Sequence, residues 1–198
     1  MKLRSAVTST EYEFNSVALF FEDGIHSEVF GQKNNKTVLE TLEHQRYAKL
    51  RHQVEGAYPN QLQEPLGRFL LRLKRNSDDF YRKFLNKYGD DEYSIFRIEN
   101  KEVLGRRGIY AYTVTDDLKY IGRCQDSMRK RVNQGYGKIH PKNCYIDGQA
   151  TNCRLNALIT TGKEAVRLWF CELDLAEIEP VERALISEHK PPWNIQRG

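Results

Sequence analysis

Between Arg123 and Arg154 the chain carries Arg123, Arg129, Lys130, Arg131, Lys138, Lys142 and Arg154 against only Asp126 and Asp147. The whole chain has a net charge of just +4. A local excess of this size in a nearly neutral chain points to a polyanion-binding face, the plainer alternative being a solubilising surface. Its second part, GYGKIHPKNCYIDGQATNCRLN, interleaves Tyr136, Lys138, Lys142, Tyr145, Gln149, Asn152, Arg154 and Asn156. Lysine and arginine neutralise phosphates, whereas asparagine, glutamine and arginine can also read base edges. The stretch at about 133–156 therefore reads as a DNA-contacting insert, with a structural Ω-loop as its alternative. His140, Cys144 and Cys153 offer three zinc ligands, but none at the tight spacing of a structural zinc site, so zinc is set aside.

Such side chains need elements to hold them. GIYAYTV (108–114) and LKYIGRC (118–124) are β-prone runs separated by Thr115, Asp116 and Asp117, which predicts a hairpin. Asp126 or Ser127 can cap a basic helix through Met128, Arg131 and Val132. A polar loop rich in Gly, Pro and Asn follows, too polar for core. Thr151 or Asn152 can cap a helix through Leu155, Leu158 and Ile159. The apolar run VRLWFCEL (166–173) predicts a buried strand, and Pro180 opens a last helix that ends before Pro191-Pro192.

Upstream, EFNSVALFFEDGI is compatible with either a short helix or a strand. From Thr37 apolar residues recur every three to four positions up to Gly56 and Pro59. A second helical pattern covers about 61–74. A third follows Asn76-Ser77, which serve as its cap candidates, and stops at Gly89. Residues 1–104 therefore read as a mainly helical accessory region, and 105–198 as a second domain.

The chain has 198 residues, 39% hydrophobic and 29% charged, enough apolar material for a packed core. No apolar run approaches the roughly 20 residues that span a bilayer, and no apolar segment follows the basic start, so neither a membrane nor a secreted protein is expected. Four cysteines in that setting predict reduced thiols in the cytoplasm, with Cys124 and Cys171 in the core.

Gly108-Ile109-Tyr110 stands on the first predicted strand and Tyr120-Ile121-Gly122 on the second, with a basic helix next. Glu182, the pair Leu185-Ile186, Pro191-Pro192 and Asn194 follow in that order on and after the last helix. Over about 105–196 this series resembles the GIY-YIG nuclease family. The resemblance implies an α+β fold with a small three-stranded antiparallel sheet flanked by helices. It also implies endonuclease hydrolysis of DNA phosphodiesters, on double-stranded or branched DNA, of a restriction-like or a repair or mobile-element type, with Mg²⁺ or Mn²⁺ as cofactor. A non-catalytic DNA-binding module and a nuclease acting on RNA are the alternatives.

By the same resemblance Glu182 is the metal ligand, a hard carboxylate suited to Mg²⁺. Tyr110 and Tyr120 are the catalytic phenols, Tyr110 activating or orienting the water and Tyr120 its partner. An arginine on the first helix holds the phosphate, since its planar fork takes two oxygens and keeps its charge. Arg131 is the choice because Val132 follows it, although the family's usual spacing falls on Lys130, and Arg129 and Arg123 remain open. Many relatives carry a His or Tyr four residues after that arginine; here the position is Gly135, leaving Tyr136 or His140 as substitutes. Asn194 matches the family's terminal asparagine, which orients the site or bonds a backbone group.

Overall fold

A computed structural model describes residues 1–195. In chain order it contains β1 (Lys2–Ser5), β2 (Thr10–Glu13), β3 (Asn15–Val17), β4 (Leu19–Phe21), α1 (Val38–Leu42), α2 (Arg51–Ala57) and α3 (Leu66–Arg75). Then follow β5 (Phe96–Ile98), α4 (Lys101–Leu104), β6 (Gly108–Val114), β7 (Asp117–Cys124), a π-helix (Arg129–Tyr136), α5 (Ala150–Thr161), β8 (Val166–Glu172) and α6 (Leu175–His189). Short 3-10 turns lie between several of them.

The architecture is α+β, but the first 104 residues are not mainly helical: the chain opens on four strands. Each is very short, and none could be told from a helical turn by periodicity. Their partners decide them: β1 pairs with β2, β3 with β8, and β4 with β5, all antiparallel. The expected three-stranded sheet of β6, β7 and β8 is present and gains β3 as a fourth strand, in the order β3-β8-β6-β7. Hence β6 is covered on both sides and β7 has an open edge.

Helix limits also shift for local reasons. Thr37 and Glu40 form a reciprocal capping box at α1, the Glu40 carboxylate accepting from the Thr37 N–H at 2.6 Å. Pro65 delays the second helical pattern to Leu66. The third pattern yields only a 3-10 turn, Asp79–Phe84, capped by Asp78 rather than by Asn76 or Ser77. At the other end α6 does not begin at Pro180: it begins after Asp174, whose N–H donates to the Glu177 carboxylate, and Pro180 lies inside it.

The chain divides into two compact units that cut across the 1–104 and 105–198 division read from the sequence. The first comprises Met1–Asp23, Ser94–Lys138 and the segment from Leu158 onward. One face of its four-stranded sheet buries Ile109, Ala111 and Ile121 against Val181 and Leu185 of α6, together with Leu3, Tyr12 and Phe14. Burial of each such aliphatic side chain is worth about 1.5–3 kcal/mol, and this packing fixes α6 on the sheet. Alternation along β6 sends Tyr110 and Tyr112 to the other face.

The second unit comprises Gly24–Tyr93 and Ile139–Ala157. Its centre is aromatic: Tyr47 and Phe84 stack at 5.8 Å, Phe69 meets Phe84 edge-on, and the Tyr145 hydroxyl donates to the Phe30 carbonyl at 2.9 Å. The segment expected to be too polar for core contributes to it, because Ile139, Cys144 and Tyr145 are buried. Its polar residues lie between these anchors, where composition averaged over the loop hides them. All four cysteines are free and buried, Cys124 and Cys171 among them. Among the described residues no helix is long and apolar enough to cross a membrane.

Candidate active site

The residues 110, 112, 120 and 136 form one nest of phenol rings on a single face of the sheet. Tyr110 lies 5.9 Å from Tyr120, 6.1 Å from Tyr112 and 6.2 Å from Tyr136, centroid to centroid. Tyr110, Tyr112 and Tyr136 are fully buried, whereas Tyr120 is half-buried. Two glycines make the nest possible. Gly122 stands opposite Tyr110 in the β6–β7 register. A Cβ there would come within 2.6 Å of the Tyr110 hydroxyl and of the Tyr120 ring. Gly108 has φ +152° and passes so close to the Cys171 carbonyl that a Cβ would sit 2.1 Å from its oxygen. The two glycines thus serve ring packing and strand packing respectively.

Arg131 docks onto this nest from the π-helix. Its Nε donates to the Tyr110 hydroxyl at 2.9 Å, and its guanidinium lies 5.6 Å from the centre of the Tyr136 ring. Of the three candidate arginines, Arg131 is the one whose side chain bonds a site tyrosine among the described residues. The π-helix also resolves the broken spacing at Gly135. Its bonding runs from residue i to i+5, as where the Gly137 N–H donates to the Val132 carbonyl at 2.8 Å. The wider turn sets Tyr136, five residues on, where an α-helix would place the residue four on. Tyr136 is not open to solvent; its hydroxyl pairs with that of Tyr112 at 3.0 Å. Tyr112 is a member of the cluster as well.

Burial pushes the Tyr110 phenol well above its ordinary pKa, with Tyr120 and Tyr136 adding to the effect and Arg131 only partly offsetting it. Tyr112 and Tyr136 are raised by burial as well. These three phenols keep their protons near neutrality. That disfavours Tyr110 as the water-activating base and makes it a fixed partner for Arg131.

Glu182 sits on α6, on the sheet's opposite face, with its side chain 16% exposed. Arg123 of β7 reaches its Oε2 at 3.4 Å and the Glu179 Oε2 at 3.2 Å. Sequence missed Glu179; its position three residues before Glu182, on the same face of one helix, was the available signal. Burial raises the Glu182 pKa, against the lowering influence of Arg123 first and Arg131 second. Arg123, Glu182, Arg183, Ser187 and Lys190 line an open groove on this side. Arg123 is thus paired with two carboxylates.

Asn194 closes the site from the chain's far end. Its Oδ1 accepts from the Ile121 N–H at 2.9 Å and its Nδ2 donates to the Ile121 carbonyl at 2.7 Å. It bonds backbone, the second of its two expected roles, and so holds the open edge of β7 between Tyr120 and Gly122.

The other expected contacts separate. Lys130 is exposed and lies 3.7 Å from Asp126, and Lys138 is exposed in the first unit. His140, Lys142, Asn152, Arg154 and Asn156 belong to the second unit. His140 is exposed and caps the turn Pro141–Cys144, its Nδ1 accepting from the Lys142 N–H. Arg154 lies over the Tyr88 ring at 6.0 Å. Asn152 and Asn156 are 4% and 0% exposed, so neither can reach a base edge. Asn152 instead donates to the Gln149 side chain at 2.8 Å. Amide residues look alike in sequence whether they serve a ligand or a buried turn.

Among the described residues no three His, Cys, Asp or Glu side chains converge as a metal cluster. Glu182, with Glu179 beside it on the same helix, offers carboxylate at the site. That donor set does not suit zinc, which takes three or four protein ligands, but it does suit Mg²⁺ or Mn²⁺ held mainly by water and phosphate oxygens. In the comparisons with known proteins, no family model, no curated protein and no solved structure matches the chain.

Proposed function

We propose that this chain is a metal-dependent endonuclease of the GIY-YIG type that hydrolyses phosphodiester bonds in double-stranded or branched DNA. The observation that supports the reading is the hydrogen bond that fixes the Arg131 guanidinium to Tyr110 within the nest of phenols. Phosphodiester cleavage needs a water nucleophile, neutralisation of charge on the phosphate and help for the leaving oxygen. A divalent ion at Glu182, when bound, supplies Lewis-acid stabilisation of the phosphate. The chain's own groups do the rest. With Nε committed to Tyr110, the planar Arg131 fork keeps its two terminal nitrogens for phosphate oxygens and never loses its charge.

Tyr110 fixes that fork, being buried and protonated. Tyr120, half-buried in the same nest, is the phenol placed to meet the attacking water. Asn194 keeps its strand in register. Burial of Glu182 strengthens its attraction for a cation, because its charge is poorly screened by water. The four free, buried thiols suit a reducing, cytoplasmic setting.

The test is cleavage of supercoiled plasmid, branched DNA and RNA with Mg²⁺, beside EDTA controls and the variants Glu182→Ala and Arg131→Ala. Nicking or linearisation that needs Mg²⁺ and vanishes in both variants is expected. Cleavage of RNA alone transfers the reading to an RNA nuclease. Binding without any cleavage, or full activity in Glu182→Ala, overturns it.

A further inference from the structure

The second unit contains a pocket of about 100 Å³, whose lining includes Lys33, Lys36, His44, Tyr47, Lys142 and Asp147. Only Lys142 belongs to the basic stretch visible in sequence. Lys33 and Lys36 come from a segment more than a hundred residues earlier, brought beside it by packing. We propose that this pocket seats a phosphate group of a polynucleotide backbone. The identity of the ligand as polynucleotide rests on the nuclease reading above; the pocket's preference for phosphate rests on its own chemistry.

Three lysines line the pocket with one carboxylate, Asp147, which already accepts a hydrogen bond from the Tyr47 hydroxyl at 2.5 Å. None of the three lysines enters an ion pair within 4 Å among the described residues. They are nevertheless close enough to disturb one another. Lys33 is held below its ordinary pKa by burial, with Lys36 and Lys142 adding repulsion and Asp147 opposing them. Like charges gathered in a partly desolvated hollow are relieved by an incoming anion, whose binding is stronger there than on an open surface.

The frame around the lysines is rigid. The Lys33 and Lys36 carbonyls accept from the Gly67 and Leu66 N–H groups at 2.9 and 3.0 Å, which pins their segment to the start of α3. The Lys33 ammonium rests 4.9 Å above the Tyr145 ring. Lys142 sits in a turn capped by His140. His44 accepts from the Arg46 N–H through Nδ1, leaving Nε2 as its other polar atom. The pocket therefore presents point-charge donors and no arginine fork. That pattern suits a tetrahedral phosphate better than the planar carboxylates of an acidic peptide, which favour bidentate arginine.

The experiment measures binding of a fluorescent DNA duplex by anisotropy over a range of NaCl, in EDTA so that nothing is cut. Wild type is compared with Lys36→Gln/Lys142→Gln, the triple variant that adds Lys33→Gln, and a charge-matched control, Lys49→Gln/Lys101→Gln/Lys163→Gln. The double variant changes only exposed side chains, which guards against a folding defect in the triple. The plot of log K against log salt is expected to become less steep by about 0.9 for each phosphate the pocket seats, with the control keeping the wild-type slope. A pocket slope equal to wild type, a wild type that binds no duplex, or lysine-dependent binding of polyglutamate instead of DNA each overturns the proposal. Pocket-dependent DNA binding in a wild type that cleaves nothing keeps the pocket and overturns the nuclease reading.

Discussion

Replacing Tyr110 by Phe removes one oxygen and keeps the ring that Tyr112, Tyr120 and Tyr136 pack against. What disappears is the 2.9 Å bond from the Arg131 Nε. A hydrogen bond to a charged group contributes about 1.5–3 kcal/mol, and the guanidinium left behind is itself half-buried. For a chain of this length that amounts to a fall in Tm of about 3–12 °C. If Arg131 must be held by Tyr110 to meet the phosphate, the same energy is lost in the transition state, a fall in cleavage rate of about 10- to 150-fold. The matched comparison is Tyr112→Phe, which loses a neutral bond of 3.0 Å to Tyr136, worth about 0.5–1.5 kcal/mol. It should lower Tm modestly and leave cleavage nearly unchanged. Single-turnover plasmid cleavage with Mg²⁺, beside thermal melts, reads both quantities. Equal rate losses in the two variants, or no rate loss in Tyr110→Phe, would refute a positioning role for Tyr110.

Gly122→Ala places a methyl group 2.6 Å from the Tyr110 hydroxyl and the Tyr120 ring in a cluster with no spare room. The expected cost is about 1–3 kcal/mol, visible as a lower Tm with a parallel loss of cleavage, and a variant as stable as wild type would show that the nest is loose. Asn194→Ala removes both bonds to the Ile121 backbone, at 2.9 and 2.7 Å. Hydrogen exchange at the Ile121 amide should accelerate by about 10-fold or more for a loss of about 1.4 kcal/mol or more, whereas unchanged protection would mean the amide clamp is dispensable.

Sequence by itself determined the elements whose signals are local. The β6–β7 hairpin, the strand at 166–172 and the presence of a last helix all follow from side-chain alternation or continuous apolar runs. The series Tyr110, Tyr120, Glu182 and Asn194 was legible only as a resemblance, and the choice among Arg123, Arg129 and Arg131 was left open. Tertiary structure alone decided the rest. The three-residue strands exist only through distant partners, as Asn15 does opposite Phe170. The π-helical turn, which seats Tyr136 beside Arg131, cannot be read from composition. Whether a polar side chain faces solvent or core separates Lys142 from Asn152, and neighbouring chain, not the residue itself, sets that exposure. Electrostatic partners follow the same rule: only folding brings Glu179 and Glu182 to Arg123. Local periodicity encodes what a segment becomes, but the field and burial at each side chain are set by residues far along the chain.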